Sequence, residues 1–451
     1  MPNMKSPGTY PGTSLGRRGA LTLAAAALPL VHIRTAAAAG KLAIMVPDHW
    51  VQEGNVVMRR QIEAWGAENK VEVQADFLTG VATRTTIAAE ALGKSGHDIA
   101  VLPVWEVHNN IDFLDSADDI MAALTKQFGP TNEICEYLGR EQGVWRAVPI
   151  STMSFYYCAL GRISVLKQAG VDILDMYPVR AGGSPSAANW NYDTYLKTAE
   201  ACHKMGMSFG TGLGTTSDSI GWVGQMFASF GAELLDRNGN ITVDSDGVRQ
   251  VLEYSKQLVK FLPENAVAYD DASNNRAYIS GKSALVYNPP SPWSVAKREA
   301  PAVALDTWVF PSPAGPKGRF ETYSTNFWGV WKFAKNKSAA KALITYLMQR
   351  KQVEERCIAT IGYDIPPFAS MVDFPIWDQV GQPDGLCYNY PLRPFHNARP
   401  YIPMSPAPPG IAVKAFNRGT MPTMLARLHA GQTIPQVIAW AKDELAGFAE
   451  R

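Results

Sequence analysis

Between Lys41 and Pro103 the chain alternates strand and helix, and this order restricts the fold more than any other feature of the sequence. KLAIMV (41–46) is a short apolar strand. Met58, Ile62 and Trp65 follow at i, i+4 and i+7, the stripe of an amphipathic helix. VEVQADF (71–77) alternates apolar and polar residues and stops at Thr79-Gly80. TTIAAEALGK (85–94) predicts a helix closed by Gly93, and HDIAVLP (97–103) is the continuous apolar run of a strand buried on both faces. A β–α–β–α–β order requires parallel strands joined by right-handed crossovers. The expected fold class is therefore α/β.

A second region opens after GVWRAVPIS (143–151). Loop sequence at YPVRAGGSPSAANW (177–190) precedes a helix beginning near Tyr192. GVRQVLEYSKQLVKFL (247–262) places Val248, Val251, Leu252, Leu258, Val259 and Leu262 on one helical face. Strands are expected again at SALVYN (283–288), DTWVF (306–310) and NFWGVWKF (326–333). In the tail, Thr433 and Gln436 form a capping box ahead of a stripe of Ile434, Ile438, Ala441, Leu445 and Phe448. No internal repeat is seen.

Ahead of the first strand, Arg17-Arg18 precede a 12-residue apolar run, Ala20–Val31, and then Ala36-Ala37-Ala38-Ala39-Gly40. A charged segment, an apolar segment and a small-residue cleavage site, in that order, form a secretory leader. A spanning helix needs about 20 apolar residues, so the run reads as an address and not an anchor. The paired arginines resemble the twin-arginine export signal, and removal is expected near Ala38. Gly12-Thr13-Ser14-Leu15-Gly16 matches the nucleophile-elbow pattern, but a cleaved leader cannot supply the strand–turn–helix that this motif needs. The leader holds four of the 42 basic residues (Lys5, Arg17, Arg18, Arg34) and no acidic one, which leaves 38 against 41 acidic. Nucleic-acid binding wants a basic excess and is disfavoured. The five cysteines contain no C-x-x-C pair, so neither a zinc ribbon nor a redox motif is indicated. An oxidising compartment would allow up to two disulfides, and buried thiols are the alternative.

Other patterns fail on spacing. DRNGNITVD (236–244) begins like a calcium loop, yet positions six and twelve hold Ile241 and Gly247 instead of Gly and Glu; it reads as a turn feeding an edge strand. GTGLGTT (210–216) lacks the phosphate-loop lysine. The seven histidines form no H-E-x-x-H motif. Asp270 and Asp271 are adjacent, so they point apart instead of flanking a scissile bond. No metal, cofactor or catalytic residue is called.

Five segments carry a family resemblance. GVWRAVPISTMSFYYCALGRISVLKQAGVD (143–172), NWNYDTYLKTAEAC (189–202), FGAELLDRNGNITVDSDGVRQVLEY (230–254), YISGKSALVYNPPSPW (278–293) and FAKNKSAAKALITYLMQRKQVEE (333–355) follow one another as their counterparts do in the extracellular solute-binding proteins of ABC importers, family 1 type, sugar-binding members included. Within them, Tyr157-Cys158 replaces the usual tyrosine–asparagine, and Tyr192-Asp193-Thr194 replaces the usual tryptophan–acidic wording. The resemblance implies a two-lobed periplasmic-binding-protein fold with hinge crossovers and an interlobe ligand cleft. Lobe one would take 41–157 and 284–334; lobe two would take 158–283 and 335–451. It further implies a monomer in the periplasm that closes on a small, sugar-like ligand, delivers it to an ABC permease in the inner membrane, and uses no cofactor.

A sugar presents apolar C–H faces and a rim of hydroxyls, which suit aromatic rings and polar side chains respectively. Open α/β sheets place ligands at strand ends. Asp48, His49 and Trp50 follow the first strand; Trp105 and Glu106 follow the third. Ser217, Asp218 and Trp222 open a helix, where Ser217 or Asp218 serves equally well as a plain N-cap. Asn288 and Trp293 fall in the family segment that often supplies a stacking ring. Tyr156, Asn326 and Arg399 complete the candidates. A secreted carbohydrate-acting hydrolase using Glu106 and Asp218 is the rival reading. A polyol, or an organic acid held by Arg399, is the rival ligand.

Overall fold

The computed structural model describes residues 40–178, 184–379 and 397–449, all within one compact unit, Ala38–Arg451. The leader and residues 380–396, Cys387 and the start of the proline-rich stretch NYPLRPFHNARPYIPMSPAPPG (389–410) among them, lie outside the described residues. The opening alternation folds as expected. Strand β1 (Lys41–Pro47) leads to helix α1 (Gln52–Asn69), β2 (Glu72–Leu78), α2 (Gly80–Gly93), β3 (Ile99–Pro103) and the single-turn α3 (Glu106–Asn109). β1 lies between β2 and β3, parallel to both. Met58, Ile62 and Trp65 are buried on α1. Helix α2 starts earlier than the apolar stripe suggested, and its left-handed cap is Lys94, φ 48°, just beyond Gly93.

Next come β4 (Val148–Tyr156) and β5 (Cys158–Arg162), separated by Tyr157 alone. Helices α4 (Tyr192–Lys204), α5 (Ser217–Phe230), α6 (Asp246–Leu258) and α7 (Ser273–Ile279) follow, then β6 (Leu285–Asn288), α8 (Ser291–Glu299), β7 (Thr307–Phe310) and the 12-residue β8 (Arg319–Val330). The amphipathic face read at 247–262 is buried on α6 and the turn after it. Strand β6 stops because Pro289 and Pro290 have no N–H for the ladder. The 236–244 segment is a turn: the Asp236 carboxylate accepts from the Asn238 and Asn240 N–H groups, and one bridge, Leu235–Ile241, closes it without an edge strand. The chain ends with α9 (Lys337–Leu347), α10 (Arg350–Ala359), β9 (Ala398–Tyr401), α11 (Pro409–Asn417), α12 (Thr420–His429) and α13 (Ile434–Ala449).

Two sheets result. The first runs β2-β1-β3-β8-β9, with β4 also on β8; the second runs β6-β5-β7. Strand β8 joins β3 through Asn326–Val330, takes β4 along Tyr323–Trp328, and holds β9 at Arg319–Thr322. The chain passes from the first sheet to the second at Tyr157 and returns between β7 and β8. These crossings touch: the Tyr157 N–H donates to the Thr322 carbonyl, 2.9 Å.

This pairing bears on two of the expected boundaries. Residues 285–288 and 307–310 were expected in lobe one, but β6 and β7 hydrogen-bond to β5 in the second sheet. Residues from 335 were expected in lobe two, but α9 and α10 pack on α1 beside the first sheet. The reason is topological. Strand β5 is the centre of its sheet and takes β6 along one edge and β7 along the other. Helix α12 packs against α5 and α6, and α11 packs on α3 and α13. Cys135, Cys202 and Cys357 are buried thiols, and Cys158 is also buried. Burial pushes Cys135 and Cys202 up to about 12, far from the reactive thiolate range.

Candidate functional site

The carboxyl ends of β1 and β3 turn toward the crossing strands. After β1, His49 is buried, and its Nδ1 accepts the Val51 N–H at 2.9 Å. Nε2 therefore carries the hydrogen and donates to Asp364 Oδ1 at 2.9 Å, an oxygen that also accepts the Met153 N–H. His49 thus ties β1 to β4 and to the segment after α10, with Tyr363 edge-on to its ring at 4.8 Å. Asp48 accepts from the Asn55 amide, and Trp50 is 43% exposed. After β3, Val104 has φ 47°, a strained value for a β-branched residue. Trp105 is 1% exposed and packs on Tyr137 and Phe416. Glu106 accepts from the amides of Asn109 and Asn110 on its own turn.

Other expected residues have structural partners. Tyr156 packs on Tyr323, and burial pushes its hydroxyl well up. Trp222 is 3% exposed; its indole donates to the Gly212 carbonyl and stacks on Tyr287. The Asn326 amide donates to the Thr152 and Met153 carbonyls, where the β4–β8 register shifts. Arg399 is exposed on β9, donating to the Lys317 carbonyl, with its guanidinium over Phe320. Trp293 is 3% exposed, with the Lys297 ammonium 4.7 Å from its ring centre.

Ser217, Asp218 and Asn288 are brought together at the start of α5. Thr216, not Ser217 or Asp218, caps this helix, accepting the Ser219 N–H. Asp218 and Ser217 are thereby left to face outward, and both are half-buried. Asp218 Oδ2 accepts from Asn274 Nδ2 at 2.7 Å and Asn288 Nδ2 at 3.4 Å. Asp271 Oδ1 accepts from the Ser217 hydroxyl at 2.9 Å and the Asp218 N–H at 3.3 Å. Asn288 also donates to Asn275 and accepts from Ser291. Burial, with the charge of Asp271 next, holds Asp218 well above the usual carboxylate range, against the opposing pull of Asn274 and Tyr157.

Tyr157, the one residue between the sheets, closes the cluster. Its ring lies across Gly221, where a β-carbon would meet ring atoms at 2.8–3.0 Å. Its buried hydroxyl makes no well-aligned hydrogen bond, and it lies close to Ser217 and Asp218: burial, then the charges of Asp218 and Asp271, push the phenol up against the opposing pull of Ser217. Tyr363, beside His49, is pushed up by burial, then by Asp364, and then by the same two charges. The cluster therefore lies beside the point where the chain passes from one sheet to the other. Tyr157, Asp271, Asn274, Asn275 and Ser291 are absent from the residues chosen by sequence. The available signal was the polar run DDASNN (270–275), whose first two carboxylates do part: Asp270 pairs with Arg276 while Asp271 turns to Ser217. Among the described residues no set of carboxylates, histidines and cysteines is arranged to hold a metal.

Residues 61–382 match the family model for bacterial extracellular solute-binding protein. No curated protein matches the chain. Several solved structures share its fold. Maltose-bound MalE3 of T. maritima is 19% identical with a TM-score of 0.68, over 90% of this chain and 99% of that one. The GacH receptor of Streptomyces glaucescens GLA.O, solved unliganded and with acarbose, is 19% identical with a TM-score of 0.67, over 92% and 98%. A sugar transporter from Arthrobacter chlorophenolicus A6 with bound laminaribiose is 15% identical with a TM-score of 0.66, over 91% and 98%.

Proposed function

The chain belongs to the bacterial extracellular solute-binding proteins, and from that premise we propose that it captures a small saccharide between its two halves and passes it, chemically unchanged, to an ABC permease. The observation behind this reading is the hydroxyl, amide and carboxylate cluster of Tyr157, Ser217, Asp218, Asp271 and Asn288 at the crossing strands. Such groups suit a rim of sugar hydroxyls, and domain junctions are common places for small-molecule pockets. The related proteins that hold maltose, acarbose and laminaribiose support the ligand class.

The first lobe would comprise β1–β4, the C-terminal half of β8, α9 and α10. The second would comprise β5–β7 with α4–α8 and α11–α13. Closure would bend the chain at Tyr157 and between β7 and β8. Trp293, close after Asn288, remains the first choice for a stacking ring, with Trp50 at the rim. The hydrolase alternative loses support from Glu106, whose carboxylate is engaged by its own helical turn. The organic-acid alternative loses support from Arg399, which is held by Lys317 on β9. Export by the leader, with cleavage near Ala38 and a monomeric periplasmic product, completes the proposal. N-terminal sequencing of the exported protein checks the cleavage.

The test is a thermal-shift screen of the exported protein against a saccharide panel, because a ligand bound only to the folded state raises Tm. Calorimetry on the hits follows. Asn288→Ala and Trp293→Ala are each expected to weaken binding at least about tenfold, ~1.4 kcal/mol, with the sugar recovered intact. Product formation, or affinities unchanged in both variants, refutes the reading.

A further inference from the structure

The polar cluster is rich in acceptors and contains no cation. Neither Asp218 nor Asp271 pairs with a lysine, arginine or histidine among the described residues. The nearest cation along the chain from Asp271, Arg276, is taken by Asp270. The asparagine donors are already engaged. Asn274 donates to Asp218, and Asn288 divides its amide between Asp218 and Asn275. The well-aligned hydrogen bonds among the described residues all fall on Asp218 Oδ2 and Asp271 Oδ1, and the Tyr157 hydroxyl is the further group close to Asp218. A separate observation points the same way. The Tyr157 hydroxyl is buried beside these carboxylates and makes no well-aligned hydrogen bond, and a buried polar atom is costly to leave unmet.

We infer that this end of the cleft is built for the ammonium group of an amino sugar, held between Asp218 and Asp271 with the Tyr157 oxygen as third acceptor. The inference rests on the saccharide reading above and narrows it. An ammonium has three donors and no acceptor, which matches two carboxylates and one phenol oxygen. A neutral sugar would close over an uncompensated negative charge, which is expensive in a drying cleft. A uronic acid would add a third carboxylate. The pressure on Asp218 described above is also what an incoming cation would relieve.

Calorimetry on the exported protein at pH 7 decides the matter with matched probes: glucosamine, N-acetylglucosamine, glucose and glucuronic acid, and the disaccharides chitosan dimer, N,N′-diacetylchitobiose and cellobiose. The expected result is at least tenfold tighter binding of the free amine than of its N-acetyl and hydroxyl counterparts, with no detectable binding of glucuronic acid. Asp218→Asn and Asp271→Asn should each reduce that preference at least tenfold while leaving the melting temperature near that of the parent. If either variant fails to fold, the comparison within the parent protein still decides. Neutral sugars binding as tightly as the amines overturns the inference and leaves the saccharide reading intact. Binding by no member of the panel overturns both.

Discussion

Glu321, in β8 where the chain re-enters the first sheet, is fully buried. Its oxygens accept from the Ser312 N–H at 2.6 Å and the Ser312 hydroxyl at 3.1 Å. Burial nevertheless pushes it up to about 8, against the opposing pull of Ser312 and Arg319. The unfolded carboxyl titrates near 4.3, so between these values the native state holds a proton that the unfolded chain has lost. Stability contributed by this group is therefore present at low pH and declines as pH rises toward 8. The predicted loss is on the order of 3 kcal/mol. Urea denaturation at pH 5 and pH 8 checks it. Glu321→Gln keeps an oxygen for the Ser312 N–H, turns the hydroxyl contact into one donated by its amide, and cannot titrate, so it should flatten the decline. A variant with the parent's pH slope would show that other groups cause it. Nothing around Glu321 in the sequence announces this, because its burial comes from residues such as Trp190, Gln225 and Ser312 that fold around it.

At the level of elements, α5 carries the most site chemistry, and its sequence explains why. Thr216 caps it, Asp218 adds a carboxylate to the first turn where the helix dipole favours one, and Gly231, φ 72°, ends it. One turn inside, Gly221 leaves room for the Tyr157 ring. Gly221→Ala should cost about 1–3 kcal/mol by overpacking and weaken ligand binding by displacing the phenol. Denaturation and calorimetry together separate the two effects, and unchanged affinity would remove Tyr157 from the site. A milder change tests the same logic on α4, where Asn191 Oδ1 accepts from the Asp193 and Thr194 N–H groups. Asn191→Ala should cost about 1 kcal/mol with affinity preserved.

For the whole molecule, the two proposed lobes would touch away from the crossing strands as well. Trp105, after β3, packs on Phe416 of α11, and the Tyr137 hydroxyl donates to the Ala407 carbonyl. A contact between lobes contributes to binding only so far as it favours the ligand-holding arrangement. Phe416→Ala should therefore raise Kd several-fold while leaving the polar cluster intact. Calorimetry measures the affinity, and small-angle scattering with and without sugar reports the closure. An unchanged Kd would place this contact equally in both arrangements.

The order of residues by itself determined the element types, the parallel start of the first sheet and the buried helical faces, because these depend on periodicity and turn chemistry within a dozen residues. It also exposed the family, through five segments spread along the chain. It could not say that 285–310 pairs with 158–162, nor that 337–359 returns to α1, since strand partnership is settled by which edges remain open once the chain has crossed over. The site followed the same division. Ser217, Asp218 and Asn288 stood out as polar residues at element ends. Tyr157, Asp271 and Asn274 became neighbours of Asp218 only because the β4–β5 crossing, α5 and α7 converge, and side chains 50 or more residues apart meet only when tertiary packing brings their backbones together.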